Sequence, residues 1–322
     1  MMAVWRKLRE RAEFADTFVM GCDSHGLQLL IGDLLKLGNI KTTFQKAQGI
    51  VNHFNSSPLQ LATLRKIQQS INRAEFSLIG AVITRWGSQY RMLSSVLRSQ
   101  YALMMFADEA SDLKVELQET LRNSDFWTNL KKLIAILKPI NEAISMSEDV
   151  KSDIGKVINR WRNIEIHLRS YMDSEFSIEI NTFLTSGFPS RINRQFEDIH
   201  WAAFYLDPAN RNTSLEGRLQ ELVHQAVRRY CKEDPDEAIR QFSAFRGGDG
   251  VFYEASCWKY KNEPKAFWQV QVDIQKSSYL PHLLTIHHRK QVLSLLESYL
   301  ALLSAFFILQ RHLYPPSVLS PL

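Results

Sequence analysis

The chain has 322 residues, 45 % apolar and 23 % charged, with a formal net charge of +5. That balance fits a soluble globular protein with a substantial core, in one large domain or two ordinary ones, and permits nucleic-acid contact without demanding it. Its three cysteines, Cys22, Cys231 and Cys257, are scattered and form no CxxC pair. This excludes a disulfide framework and a structural zinc finger and points to reduced thiols.

Residues 3–14 have helical spacing, with Val4, Trp5, Leu8 and Ala12 on one side and arginines over the rest. The basic start lacks the apolar region of a secretory signal. It has no helix cap, so the chain is expected to begin inside a domain. Residues 18–20 read as a short buried strand. From Ser24, a good N-cap, apolar residues recur at Leu27, Leu30, Ile31, Leu34 and Leu35, a helix pattern expected to end at Gly38-Asn39. A second helix is predicted over 42–54, a break at Asn55-Ser56-Ser57-Pro58, and a third helix over 59–71. The apolar run 76–83 suits either a strand or a helix turn. Thr84-Arg85-Trp86-Gly87-Ser88 interrupts it, and 89–106 is again helical.

Helix then follows helix. Residues 125–146 carry Phe126, Leu130, Leu133, Ile134, Leu137, Ile140 and Ile144 at three-four spacing, with a kink predicted at Pro139. Residues 154–172 repeat the pattern, and shorter helices are expected at 175–184, 215–231 and 235–245. Arg246-Gly247-Gly248-Asp249-Gly250 has a strong turn signature. No fixed-period repeat is visible. The body is therefore mainly α, with a fragment of sheet near residues 16–21. Residues 292–309 are nearly all apolar and reach the lower limit for a membrane span. Glu297 would cost about 2.5–3.5 kcal/mol near a bilayer centre. A buried or partner-covered helix is favoured over a membrane helix.

Residues 21–33 place Cys22 and His25 where the short strand meets the first helix, a junction that presents polar side chains beside open helix N–H groups. Two ligands with no further Cys or His nearby make a poor metal site, so a polar pair packed at the strand end is preferred. Taken alone, Arg85-Trp86 would read as a core Trp beside a solvated Arg. Asp207-Pro208 reads as a structural turn or helix start.

Taken together, Gly21-Cys22-Asp23-Ser24-His25, then Thr84-Arg85-Trp86-Gly87-Ser88 about sixty residues on, resemble the hAT superfamily of DNA transposases. Phe126-Trp127, Leu137-Lys138-Pro139-Ile140, His200 to Pro208, and Phe267-Trp268 follow in the same order. The resemblance spans about residues 1–270. It implies an RNase H-like core whose three acids bind two divalent metal ions, usually magnesium, interrupted by a large helical insertion and followed by a dimerising segment. Cys22 and His25 match the family's Cys-x-x-His motif. Arg85 and Trp86 match the pair that holds hairpinned DNA, the Trp stacking on a flipped base and the Arg contacting the strand. Such stacking contributes about 1–3 kcal/mol per base.

The departures are as informative. The family's first acid would lie upstream of this chain, and its second at or before Met1. The third belongs in a Ser-Glu-Arg stretch where this chain has Leu295-Leu296-Glu297-Ser298-Tyr299. The resemblance thus implies a truncated or inactive relative, not an enzyme by itself, with no cofactor of its own. The expected architecture is a partial RNase H-like α/β core over 1–88, a helical insertion over 89–262 and a degenerate helical segment over 263–322. Expected partners are DNA and, through the C-terminal helices, a second copy, in the nucleus. A domesticated helical module that binds proteins and not DNA is the alternative.

Overall fold

A computed structural model describes residues 20–82, 87–109, 113–149, 152–230, 234–253 and 256–277. These residues are mainly helical, and no strand occurs among them. The predicted strand at 18–20 falls almost wholly outside them, as do the N-terminal helix and the apolar run 292–309. No helix among the described residues is long and apolar enough to cross a membrane. They fold into two compact units, one formed by Asp23–Asp149 and Trp161–Asn193, the other by the described parts of Met1–Cys22, Val150–Arg160 and Arg194–Leu322.

The first unit begins with α1 (Asp23–Leu34), α2 (Gly38–Ser56) and α3 (Pro58–Asn72). The three-four apolar pattern of α1 buries Leu27, Leu30, Ile31 and Leu34 completely. They face α7 (Ser124–Glu148), whose Phe126, Trp127, Leu130, Leu133, Leu137, Ile140 and Ile144 are buried in turn. Asn123 caps α7 by accepting from the N–H groups of Asp125 and Phe126. The helix runs on through Pro139. Between α3 and α7 lie α4 (Ser88–Arg98), α5 (Gln100–Glu109) and α6 (Val115–Arg122). Part of α8 (Val157–Arg169), then α9 (Ser177–Thr182), a π-turn at Phe183–Gly187 and most of α10 (Phe188–Gln195) complete the unit.

Three local expectations are corrected. Ser24 lies inside α1, because the helix already starts at Asp23. Gly38 and Asn39 open α2 instead of closing α1: Gly38 takes a φ of +28°, and the Asn39 N–H is bonded by the Glu179 carboxyl at 2.6 Å. The helix predicted over 89–106 divides at Ser99, whose hydroxyl accepts from Gln68.

The apolar run 76–82 is neither strand nor helix turn but chain without regular secondary structure, whose backbone bonds to helix side chains. The fully buried Gln68 amide pairs with both the N–H and the C=O of Phe76, at 3.0 Å each. Ser95 accepts from the Ile79 N–H, while Asn55 and Ser88 donate to the carbonyls of Leu78 and Val82. Side chains thus satisfy backbone groups that a neighbouring strand would otherwise have to pair.

The second unit centres on α11 (Asp198–Leu206), which is buried on nearly every side. Phe204 and Leu206 join Val223 and Val227 of α12 (Gly217–Tyr230), Phe242 and Phe245 of α13 (Pro235–Gly247), and Phe267 and Trp268 of α14 (Pro264–Ser277) in one core. A helix apolar all round belongs inside a bundle, which is where α11 lies. After it Asp207 starts a short 3-10 turn (Pro208–Asn210), as the sequence suggests: one carboxyl oxygen accepts from the Ala209 N–H at 2.9 Å, the other from Lys156 Nζ at 2.7 Å.

His200 is fully buried, and its Nδ1 accepts from the Glu197 N–H at 3.1 Å, so its proton sits on Nε2, which has no partner. Burial, reinforced by the Arg160 guanidinium, lowers its pKa from 6.5 to about 4. Above pH 6.5 both folded and unfolded rings are neutral and the group has no effect. Between pH 6.5 and 4 the unfolded ring takes up a proton that the folded ring refuses, so stability falls. Urea titrations should show His200→Gln less acid-sensitive than the parent in this interval, by up to about 1.4 kcal/mol per pH unit. Parallel pH profiles would contradict this.

Candidate nucleic-acid interface

The first turn of α1 sorts its side chains sharply. Asp23 and Ser24 turn inward while His25 is exposed. The Asp23 carboxyl accepts from the Trp161 indole N–H at 2.8 Å, and the Ser24 and Ser147 hydroxyls are 2.6 Å apart. Both bonds are buried, and both reach far along the chain. Cys22, half-buried, precedes the helix. Much of this motif therefore fixes the start of α1, leaving His25 as its outward group.

One turn after His25, on the same helix face, comes Gln28. Its amide donates to the Gln89 side chain at 2.9 Å, and its carbonyl accepts from the Gly87 N–H at 3.0 Å. Gly87 directly follows Arg85-Trp86 and sits before α4 with φ +65°, a left-handed conformation that favours glycine. A Cβ there would also collide with the Asn141 side chain. At the other flank of residues 83–86, Ser88 donates to the Val82 carbonyl at 2.7 Å. Arg85 and Trp86 themselves lie outside the described residues. Gly87 and Val82, on either side of residues 83–86, are tied to α1 and α4 respectively.

Around this region α4 and α7 supply polar groups. Arg91 is exposed on α4, and Glu148 ends α7. Burial pushes the Glu148 carboxyl above its usual value, with the Arg91 guanidinium opposing the rise. Among the described residues no three His, Cys, Asp or Glu side chains stand together as a metal set. Asp23, the acid within the motif, is turned to an indole N–H. These residues do not fit a two-metal centre.

Gln28 and Ser147 were not singled out from the sequence. Gln28 could have been, since it stands three residues beyond His25 within the same motif. Helical spacing marks Trp161 as a core residue, but the pairings of Ser147 and Trp161 carry no local signal, because their partners lie 123 and 138 residues away in the chain.

A family match supports a coarse relation of this helical chain to the hAT/ZBED group. The family model that matches is the ZBED1 RNase-like helical domain, over residues 20–136. That span contains Cys22, His25, Arg85 and Trp86 and ends within α7. No curated protein matches the chain.

Proposed function

We propose that this chain is a transposase-derived DNA-binding protein of hAT type that does not itself cut DNA. DNA contact is assigned to exposed His25 and to Arg85-Trp86, with Cys22 supporting the start of the helix. The observation that carries the reading is the Gln28–Gly87 bond, which fastens the residue after Trp86 one turn from His25. The family match over both motifs supports the same assignment. An indole stacks on any unpaired base, and a guanidinium engages phosphate bidentately, which suits an unstacked hairpin end better than a closed duplex. The assignment as non-cleaving is supported by Leu295-Leu296-Glu297-Ser298-Tyr299, which stands where the resembled family carries a Ser-Glu-Arg stretch. A nuclear location and self-association through the C-terminal helices belong to the same reading, though those helices lie outside the described residues.

Titration of the full chain with hairpin and plain duplex DNA at two salt concentrations tests it. Hairpin binding should weaken with salt, and Trp86→Ala should lose about 1–3 kcal/mol of it. Binding indifferent to salt and to Trp86 would favour the protein-interaction module instead. Magnesium-dependent strand cleavage by the purified chain would overturn the inactive assignment.

A further inference from the structure

One stretch of the first unit carries charge of a single sign. The forty-one residues between Asp33 and Glu75 hold six Lys or Arg and no Asp or Glu, where the chain's average would place about four acids. Most of this stretch is α2 and α3. Ile40, Ala47, Ile50, Val51 and Phe54 form the buried face of α2. Helical spacing sets Lys41, Thr42, Gln45, Lys46, Gly49 and Asn52 on the opposite side, and all six are exposed. On α3, Leu64, Ile67 and Gln68 are buried, while Ala62, Lys66 and Gln69 are exposed, as is Arg73 just past the helix end. The His53 ring of α2 bonds to the Gln60 side chain of α3, so the two helices form one pair.

Elsewhere in this unit basic side chains are answered by acids: Arg122 by Asp108 at 2.9 Å, Lys138 by Glu142 at 3.8 Å and Arg169 by Glu165 at 2.7 Å. The two acids that bound the stretch go to Lys36 and Arg65. Lys41, Lys46, Lys66 and Arg73 are left without a carboxylate partner among the described residues. Gly49 lies amid the outer face of α2 with nothing within 4 Å of where its Cβ would stand. Packing within the chain does not call for glycine there, and glycine weakens a helix interior. What it permits is close approach of another backbone. The outer face of α2 has no large apolar side chain, so it suits neither a protein interface core nor lipid tails. Unpaired cations interspersed with amides and hydroxyls are instead the donors that phosphate oxygens accept from. We infer that the outer faces of α2 and α3 hold the phosphate backbone of duplex DNA, irrespective of sequence.

This surface goes beyond the hairpin contact and uses none of its residues, so either can fail alone. The test is fluorescence anisotropy of the full chain with blunt-ended duplex DNA over a salt series. Lys41→Gln combined with Lys46→Gln, and Lys66→Gln combined with Arg73→Gly, should each flatten the log–log salt dependence by about 2. Arg73 has φ +53°, where glycine is unstrained, and the other three changes are at exposed positions, so thermal midpoints should match the parent. Lys138→Gln combined with Arg169→Gln removes two acid-paired cations and should leave the slope unchanged. Trp86→Ala should also leave it unchanged, since that residue is assigned to hairpin ends alone. An unchanged slope in the α2 pair or the α3 pair, or an equal loss in the Lys138 and Arg169 control, would overturn the inference. So would binding to phosphatidylserine vesicles without binding to the duplex.

Discussion

Replacing Trp161 with alanine is expected to cost about 3–5 kcal/mol of folding stability, read as a lower urea midpoint with an unchanged slope. The indole is completely buried, packs on Phe188 with ring centroids 5.9 Å apart, and donates to Asp23. Trp161→Phe keeps most of the packing and deletes the hydrogen bond. It should cost about 1–3 kcal/mol, the usual result of removing one partner of a buried pair. Asp23→Ala leaves the indole N–H without this acceptor and should cost a similar amount. Combined, the two changes should cost less than their sum, because the second removes what the first has already broken. A double-mutant cycle additive to within about 0.3–0.5 kcal/mol would mean that the bond contributes nothing. The consequence for function is local. This bond fixes the first turn of α1, from which His25 projects.

Trp268→Ala should produce a loss of similar size, about 3–5 kcal/mol, in the second unit. Its ring lies among Phe245, Phe252 and Phe267 at centroid distances of 5.0, 6.0 and 5.3 Å, and its N–H donates to the Leu206 carbonyl at 3.0 Å. That carbonyl belongs to the last residue of α11, where helix acceptors have no partner within the helix. The indole thus both fills the core and ends the central helix. Thermal unfolding measures the effect, and near-UV circular dichroism should lose the signature of the packed aromatic cluster. A loss below about 1 kcal/mol would contradict this packing.

Several expectations from the sequence hold for identifiable reasons. The core face of α1, the break before Pro58, the long α7 and the capping role of Asp207 all rest on spacing within one or two helical turns. Local physics writes such features directly. The resemblance carried by Cys22-His25 and Arg85-Trp86 is upheld at the level of a hAT/ZBED-related helical domain, since the family match covers both motifs.

Other features misled because a distant partner decides them. Gly38-Asn39 looks like a helix end, yet Glu179 supplies an acceptor to the Asn39 N–H and makes it a helix start. Residues 76–83 suit a strand or a helix turn by composition, yet over 76–82 Gln68, Ser95 and Asn55 supply backbone bonds instead. The apolar spacing over 89–106 is continuous, and nothing in it marks the division at Ser99.

By itself, then, the sequence determined a mainly helical chain, the faces its helices bury, and the two motifs that carry its resemblance to the hAT superfamily. Only the tertiary structure decided that Asp23 and Ser24 turn inward while His25 faces out. It also decided that Gln28 binds Gly87 and that Arg211 and Arg246 stack on the rings of Trp258 and Tyr205. The reason is physical. Helical periodicity is set by neighbours within four residues, whereas the pairing of a buried polar group depends on whichever partner the fold brings within about 3 Å.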